Sequence, residues 1–351
     1  MTLLHALILK CLHTINGERT IYSVYHLLSG KKSSQTIQDA HLYRLSNLFK
    51  TLPGWSRQQF EQNINELSQK DLIVSLNEDS KWTVTDQGIT AYTDFFKENA
   101  FPKYIHGLKY QDVSILMWKR LTLLVQAISY LSHGQNRYIP IVRDPDIRDW
   151  VKNTIIQYPN SRSNLASCLF DELYSILNSP FPENPDIVVM RLSGFQSIGM
   201  TATQIAEFLE IELSESHFRF MNAQHYMIQV LIKDHHKYNI LSSLLKDIYQ
   251  KVPYTKTALR TYKLLKQNLT IEEIAKLRNL KASTVEDHII EIALNNKQFS
   301  ITPYVDQESI EKISTIANSL GVRKLKPIKE KLSDISYFQI RLVLSRLGVK
   351  K

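Results

Sequence analysis

Two helix starts, at positions 270 and 283, constrain this chain more than any other feature. In "TIEEIAKLRNLKASTVEDHI", Thr270 with Glu273 and Ser283 with Glu286 each have the Ser/Thr-x-x-Glu spacing of a capping box. In that motif the hydroxyl accepts from the backbone N–H three residues on, and the glutamate returns to the N–H of the cap. Ile274, Ala275, Leu277 and Leu280 fall on one helical face, and Val285, Ile289, Ile292 and Ala293 repeat the pattern after a tight connection. So short a spacing leaves room for one short helix and a turn, which predicts a helix-turn-helix.

The motif has an echo. "TATQIAEFLEIELSESHF" (201–218) aligns without gaps on "TIEEIAKLRNLKASTVED" (270–287), pairing Thr201 with Thr270, Ile205-Ala206 with Ile274-Ala275, Ile211 with Leu280 and Ser214 with Ser283. Two copies are too few for a solenoid, so they predict two separate helix-turn-helix units.

Residues 1–100 are expected to form a winged helix. Helical periodicity runs through Leu3, Leu4, Leu7 and Ile8, then through Tyr43, Leu45, Leu48 and Phe49. Ser56 with Gln59 caps a helix on Phe60, Ile64 and Leu67, whose outer face shows Arg57, Gln58, Gln62, Asn63, Asn65 and Gln69. "DLIVSLNEDSKWTVTDQG" is two β-rich runs around an acidic turn, a wing as suited to a protein as to DNA, and Ile89–Phe96 returns to helix. Residues 101–185 read as a helical middle region, with helices at 110–131, 146–156 and 163–178. Three prolines in "NSPFPENPD" mark a boundary, followed by a helix-turn-helix-like region at 186–250 and a basic helix-turn-helix domain at 251–351. The fold class is mainly α.

Charge distribution separates these regions. Residues 1–250 hold 24 Lys and Arg against 24 Asp and Glu; residues 251–351 hold 19 against 10, which is the whole net charge of +9. A basic end on a neutral body places any polyanion contact at that end. Two cysteines, Cys11 and Cys168, lack metal-ligand spacing and point to a reducing compartment. "MTLLHALILKCLHTI" has neither the basic start nor the cleavage site of a signal peptide, and Lys119-Arg120 interrupts the most apolar later segment, so a cytoplasmic, nucleoid-associated protein with no membrane role is expected.

Chemistry is sparse. "GFQSIGMT" (194–201) fits the phosphate-binding loop G-x-x-x-x-G-K-[ST] except that Met200 stands where the phosphate-contacting lysine must be, and a thioether carries no charge. His217, His225, His235 and His236 have no cysteine or paired carboxylate at ligand spacing. No catalytic residue, metal or cofactor is expected. For DNA, Lys281, Ser283 and Thr284 could hold a phosphate at a helix start, and Arg323, Lys324, Lys326, Lys329 and Lys331, with Arg341 and Arg346 on a helix capped by Ser336 and Gln339, form a basic patch. The second motif helix is expected to show Thr284, Asp287, His288 and Glu291 to solvent. Carboxylates repel groove-lining phosphates, so Asp287, His288 and Glu291 read as a partner-binding face.

"TALRTYKLLKQNLTIEEIAKLRNLKASTVEDHI" with "LGVRKLKPIKEKLSDISYFQIRLVLSRL" resembles the helix-turn-helix domain at the carboxyl terminus of many RecQ-type helicases. In length and order the chain is similar to the YpbB family, in which that domain sits on a separate protein encoded beside a short RecQ-like helicase lacking it. The resemblance implies an accessory protein without an ATPase of its own, partnering the helicase and binding DNA largely independently of sequence in repair or recombination. The alternative is a transcriptional regulator reading DNA through the helix after Ser56.

Overall fold

The computed structural model describes residues 1–77, 80–158, 162–178, 180–249, 254–320 and 325–347. Four helices come first: α1 (Leu3–Ile15), α2 (Tyr22–Ser29), α3 (Ser34–Leu42) and α4 (Arg57–Gln69). Strands β1 (Ile73–Asn77) and β2 (Lys81–Val84) pair antiparallel, Ile73 opposite Val84, and lead into α5 (Asp86–Glu98). Next are α6 (Gly107–Ser132), α7 (Pro145–Ile156), α8 (Arg162–Asn178), α9 (Asp186–Val189), α10 (Ala202–Phe208), α11 (Leu213–Lys233) and α12 (Asn239–Ser243). The last are α13 (Lys256–Leu265), α14 (Ile271–Arg278), α15 (Ala282–Asn295), α16 (Gln307–Leu320), α17 (Leu325–Lys331) and α18 (Tyr337–Leu344). The fold is mainly α, with one two-stranded sheet among the described residues.

The chain divides into two compact units. The first comprises Met1–Ala6 and Thr93–Gln250; the second comprises Leu7–Tyr92 and Lys251–Lys351. In the first, α6 is the spine: Tyr110, Val113, Met117, Leu121, Leu124 and Ile128 recur at helical spacing and are buried among α7, α8 and α11. Arg120, which interrupts this apolar run, is buried with both Nη groups of its guanidinium bonded. It donates to Asp247 Oδ1 and Oδ2 at 2.6 and 2.7 Å and to the Leu244 carbonyl, and it stacks over Trp150. Removing Asp247 would leave the buried Arg120 charge without its carboxylate and so destabilise the unit.

The second unit joins two stretches far apart in sequence. Helices α13, α14 and α15 pack around Ile274, Val285 and Ile289, and α15 also packs on α18 and on α3 from the amino-terminal stretch. The order expected for residues 1–100, helices followed by a hairpin, is present, and Ser56 and Gln59 form their capping box on α4. The tip of the hairpin, where Glu78 and Asp79 were expected to make it acidic, lies outside the described residues.

Both copies of the repeat fold alike. The second is α14, a turn and α15; the first is α10, a turn and α11, with helix starts offset by the same 69 residues as the sequences. Capping boxes form at Thr201–Gln204 and Thr270–Glu273. The expected box at Ser283 and Glu286 does not form, because α15 starts earlier, with Lys281 as its cap, and Ser283 is already helical. The run "DIVVMRL" (186–192), whose paired valines favour a strand by local propensity, starts instead with helix α9, whose Ile187 and Val188 are buried against α11. Tertiary burial overrode β propensity there.

Candidate nucleic-acid interface

The turn between α14 and α15 is the natural place to begin. Asn279 ends α14 in the left-handed conformation, φ 51°, which an asparagine tolerates and which reverses the chain within three residues. Lys281 and Ser283 are exposed at the first turn of α15 and Thr284 is half-buried, so a charge and two hydroxyls stand at the positive end of the helix dipole. Leu277, expected on the apolar face, is 64% exposed.

Beyond that turn α15 is interior. His288 and Glu291, expected at the surface, are 8% and 6% exposed, and half-buried Asp287 is ion-paired with Arg341 at 2.7 Å. The reason is tertiary: α3, α13 and α18 cover what a two-helix reading leaves open to solvent. Each group has a packing role. Glu291 accepts the backbone N–H of Thr255 through Oε1 and its hydroxyl through Oε2 (3.0 Å), which anchors the start of α13, while burial pushes its pKa up. His288 Nδ1 meets Thr261 Oγ1 at 2.9 Å; burial and the nearby Arg278 hold its pKa down, so it is neutral.

The basic patch is also partly committed. Lys329 donates to the carbonyls of Ser333 and Ile335, closing the end of α17. Arg341 joins Asp287 on α15 to Gln38 on α3, where Nε donates to Oε1 at 2.8 Å. Arg346 is tied to the carbonyls of Asn296 and Phe299. Lys331 is exposed, Arg323 and Lys324 lie outside the described residues, and so does the side chain of Lys326.

One cationic group escaped the sequence reading. Arg278, at the end of α14, reaches α13, where Nη1 donates to the Thr257 carbonyl (3.0 Å) and to Thr261 Oγ1. Burial, then the Arg260 guanidinium nearby, push its pKa down. The signal was legible: residues 251–271 hold Lys251, Lys256, Arg260, Lys263 and Lys266 and no acid.

A family described as a helix-turn-helix domain matches residues 257–344, from α13 to the end of α18. Protein YpbB of Bacillus subtilis (strain 168) is 33% identical over 341 residues, covering 97% of this chain and 96% of the relative. The chain belongs to the YpbB family. In this YpbB-family chain the domain match coincides with the carboxyl-terminal stretch of the second unit. No solved structure matches. Among the described residues, no helix is long and apolar enough to cross a membrane, and no group of three or more His, Cys, Asp or Glu could hold a metal ion.

Proposed function

We propose that the protein is a non-enzymatic accessory of a RecQ-like DNA helicase in repair or recombination, working in the cytoplasm at the nucleoid. Its second unit holds DNA and its first unit holds the helicase. The observation that carries this reading is the segregation of charge between two units of similar size. Residues 7–92 have nine Lys and Arg against eight Asp and Glu, and residues 251–351 have nineteen against ten, so the second unit carries +10. The first has fifteen against sixteen and carries −1.

Exposed apolar side chains run the other way. Of the seventeen large ones among the described residues, thirteen lie in the first unit. They include Phe170 (65% exposed) and Tyr174 (59%), stacked along α8 at the mouth of an apolar cleft of about 640 Å³ between α6, α8 and α9. Such patches mark protein contacts, whereas a surplus of cations suits phosphate. Because α15 is covered, the DNA contact is to the backbone and not to base edges.

The test uses the full chain with the RecQ-like helicase of the same genome and with duplex DNA. Co-elution with the helicase, together with salt-sensitive affinity similar across unrelated sequences, is the expected result. Failure of either arm removes that half of the proposal.

The regulator reading keeps one supporting observation. Gln58, Gln62, Asn65 and Gln69 are all exposed on α4, and amide side chains can pair with adenine edges. Strong enrichment of one sequence by the full chain, abolished by Gln62→Ala, would favour it.

A further inference from the structure

Helix α13 presents three cations on one face. Lys256, Arg260 and Lys263 are spaced i, i+4 and i+7, all are exposed, and the face opposite buries Ala258 and Thr261. No acid lies on the helix, and among the described residues none of the three forms an ion pair. Arg278 is fixed along the flank of this face, through its bonds to Thr257 and Thr261 on either side of Arg260. Two guanidiniums brought together with no carboxylate between them repel each other, and burial together with that repulsion lowers the Arg278 pKa. Folding has gathered like charges here without neutralising them.

We propose that the α13 stripe, flanked by Arg278, is the seat for the phosphate backbone of a nucleic acid, laid along the helix. This rests on the reading that the second unit binds DNA, and it names where. From Lys256 to Lys263 the helix advances about 10 Å, at 1.5 Å per residue. One strand of duplex DNA places a phosphate about every 3.4 Å along its axis, so the stripe spans about three. The ligand class follows from geometry: a line of cations on a rigid rod matches a line of anions, and it reads no base. The stripe also explains how a helix-turn-helix whose second helix is covered can still serve DNA. The contact moves from α15 to its neighbour α13.

The experiment compares the full chain with two triple variants on fluorescein-labelled 20-base-pair duplexes of three unrelated sequences, across a salt series. One variant is Lys256→Gln, Arg260→Gln and Lys263→Gln. The other is Lys326→Gln, Lys329→Gln and Lys331→Gln. All three residues of the first set are exposed, so circular dichroism should be unchanged. The expected result is at least a tenfold loss of affinity for every duplex in the first variant. Its log–log salt slope should shrink by about 2.7, or 0.9 for each of three phosphates. Unchanged affinity and slope in the first variant, with the loss in the second, overturns the seat and leaves the DNA reading standing. No DNA binding by the unmodified chain at low salt overturns both. Binding to phosphatidylglycerol vesicles, with none to DNA, assigns the stripe to a membrane surface and overturns the proposal as well.

Discussion

The two helix-turn-helix copies share their local structure and almost nothing of their outer surface. Ile205 and Ile274 are buried at matched positions, and Glu210 and Asn279 both take the left-handed turn, φ 54° and 51°. Around that turn the first copy exposes Glu207, Phe208, Glu210 and Glu212, whereas the second exposes Lys276, Leu277, Asn279 and Lys281. The conformation needs only a cap, an apolar face and one residue tolerating positive φ. Outward positions are free to vary, and two of these four pairs, Glu207/Lys276 and Glu212/Lys281, differ in charge sign. A helix-turn-helix is thus a packing unit first, and its use is set by what surrounds the turn.

The harshest way to test the equivalence is to open both cores. Ile205→Ala and Ile274→Ala should each destabilise their own unit by about 2–5 kcal/mol. Peptide-resolved hydrogen exchange in the full chain should place the first loss in residues 93–250 and the second in 251–351. DNA affinity should fall only with Ile274→Ala. Equal loss of DNA binding in both variants would break the division of labour.

Acid separates the units next. Buried His225 accepts the backbone N–H of His106, and burial lowers its pKa to about 3. Its neutral form belongs to the folded state, so its contribution is complete above an unfolded pKa of about 6.5 and falls with pH down to about 3. The slope approaches about 1.4 kcal/mol per pH unit, or roughly 2 kcal/mol between pH 6.5 and 4.5. In the second unit, neutral His288 works in the same direction. Glu291, with its pKa raised by burial, contributes most below its unfolded pKa and loses that contribution as pH rises, so it opposes His288. The first unit should therefore lose more protection on acidification, and His225→Gln should flatten the difference. Equal slopes in both units would remove the burial argument.

Surface changes should be smaller and one-sided. Phe170→Asp with Tyr174→Asp should weaken helicase binding at least tenfold, about 1.4 kcal/mol, and leave DNA affinity unchanged. Pull-down and anisotropy on one preparation check both, and a matching loss of DNA binding would show that the units do not divide the work. Smallest are the caps: Thr201→Ala and Thr270→Ala should each cost about 1 kcal/mol, equally, by urea melts followed with hydrogen exchange. A cost confined to one copy would mean that their local structures are not equivalent.

Much of the local structure was legible in the sequence. The caps at Ser56, Thr270 and Ser336, the helices at 110–131 and 146–156, the hairpin and the repeated motif follow from short-range spacing, because capping and amphipathic burial act over three or four residues. The segregation of charge along the chain, the acid-free run at 251–271 and the family resemblance were legible as well. What only tertiary structure decided is which surfaces remain. Nothing near Asp287, His288 or Glu291 in sequence foretells that α3, some 250 residues earlier, lies on α15. Nor does local spacing reveal that Arg341 and Arg346, read as free cations, are spent on Asp287, Gln38 and two carbonyls. A buried polar face, once its hydrogen bonds are made, looks in sequence like an exposed one, since the residue types are the same. The partners that bury it come from distant parts of the chain, and only the folded molecule brings them together.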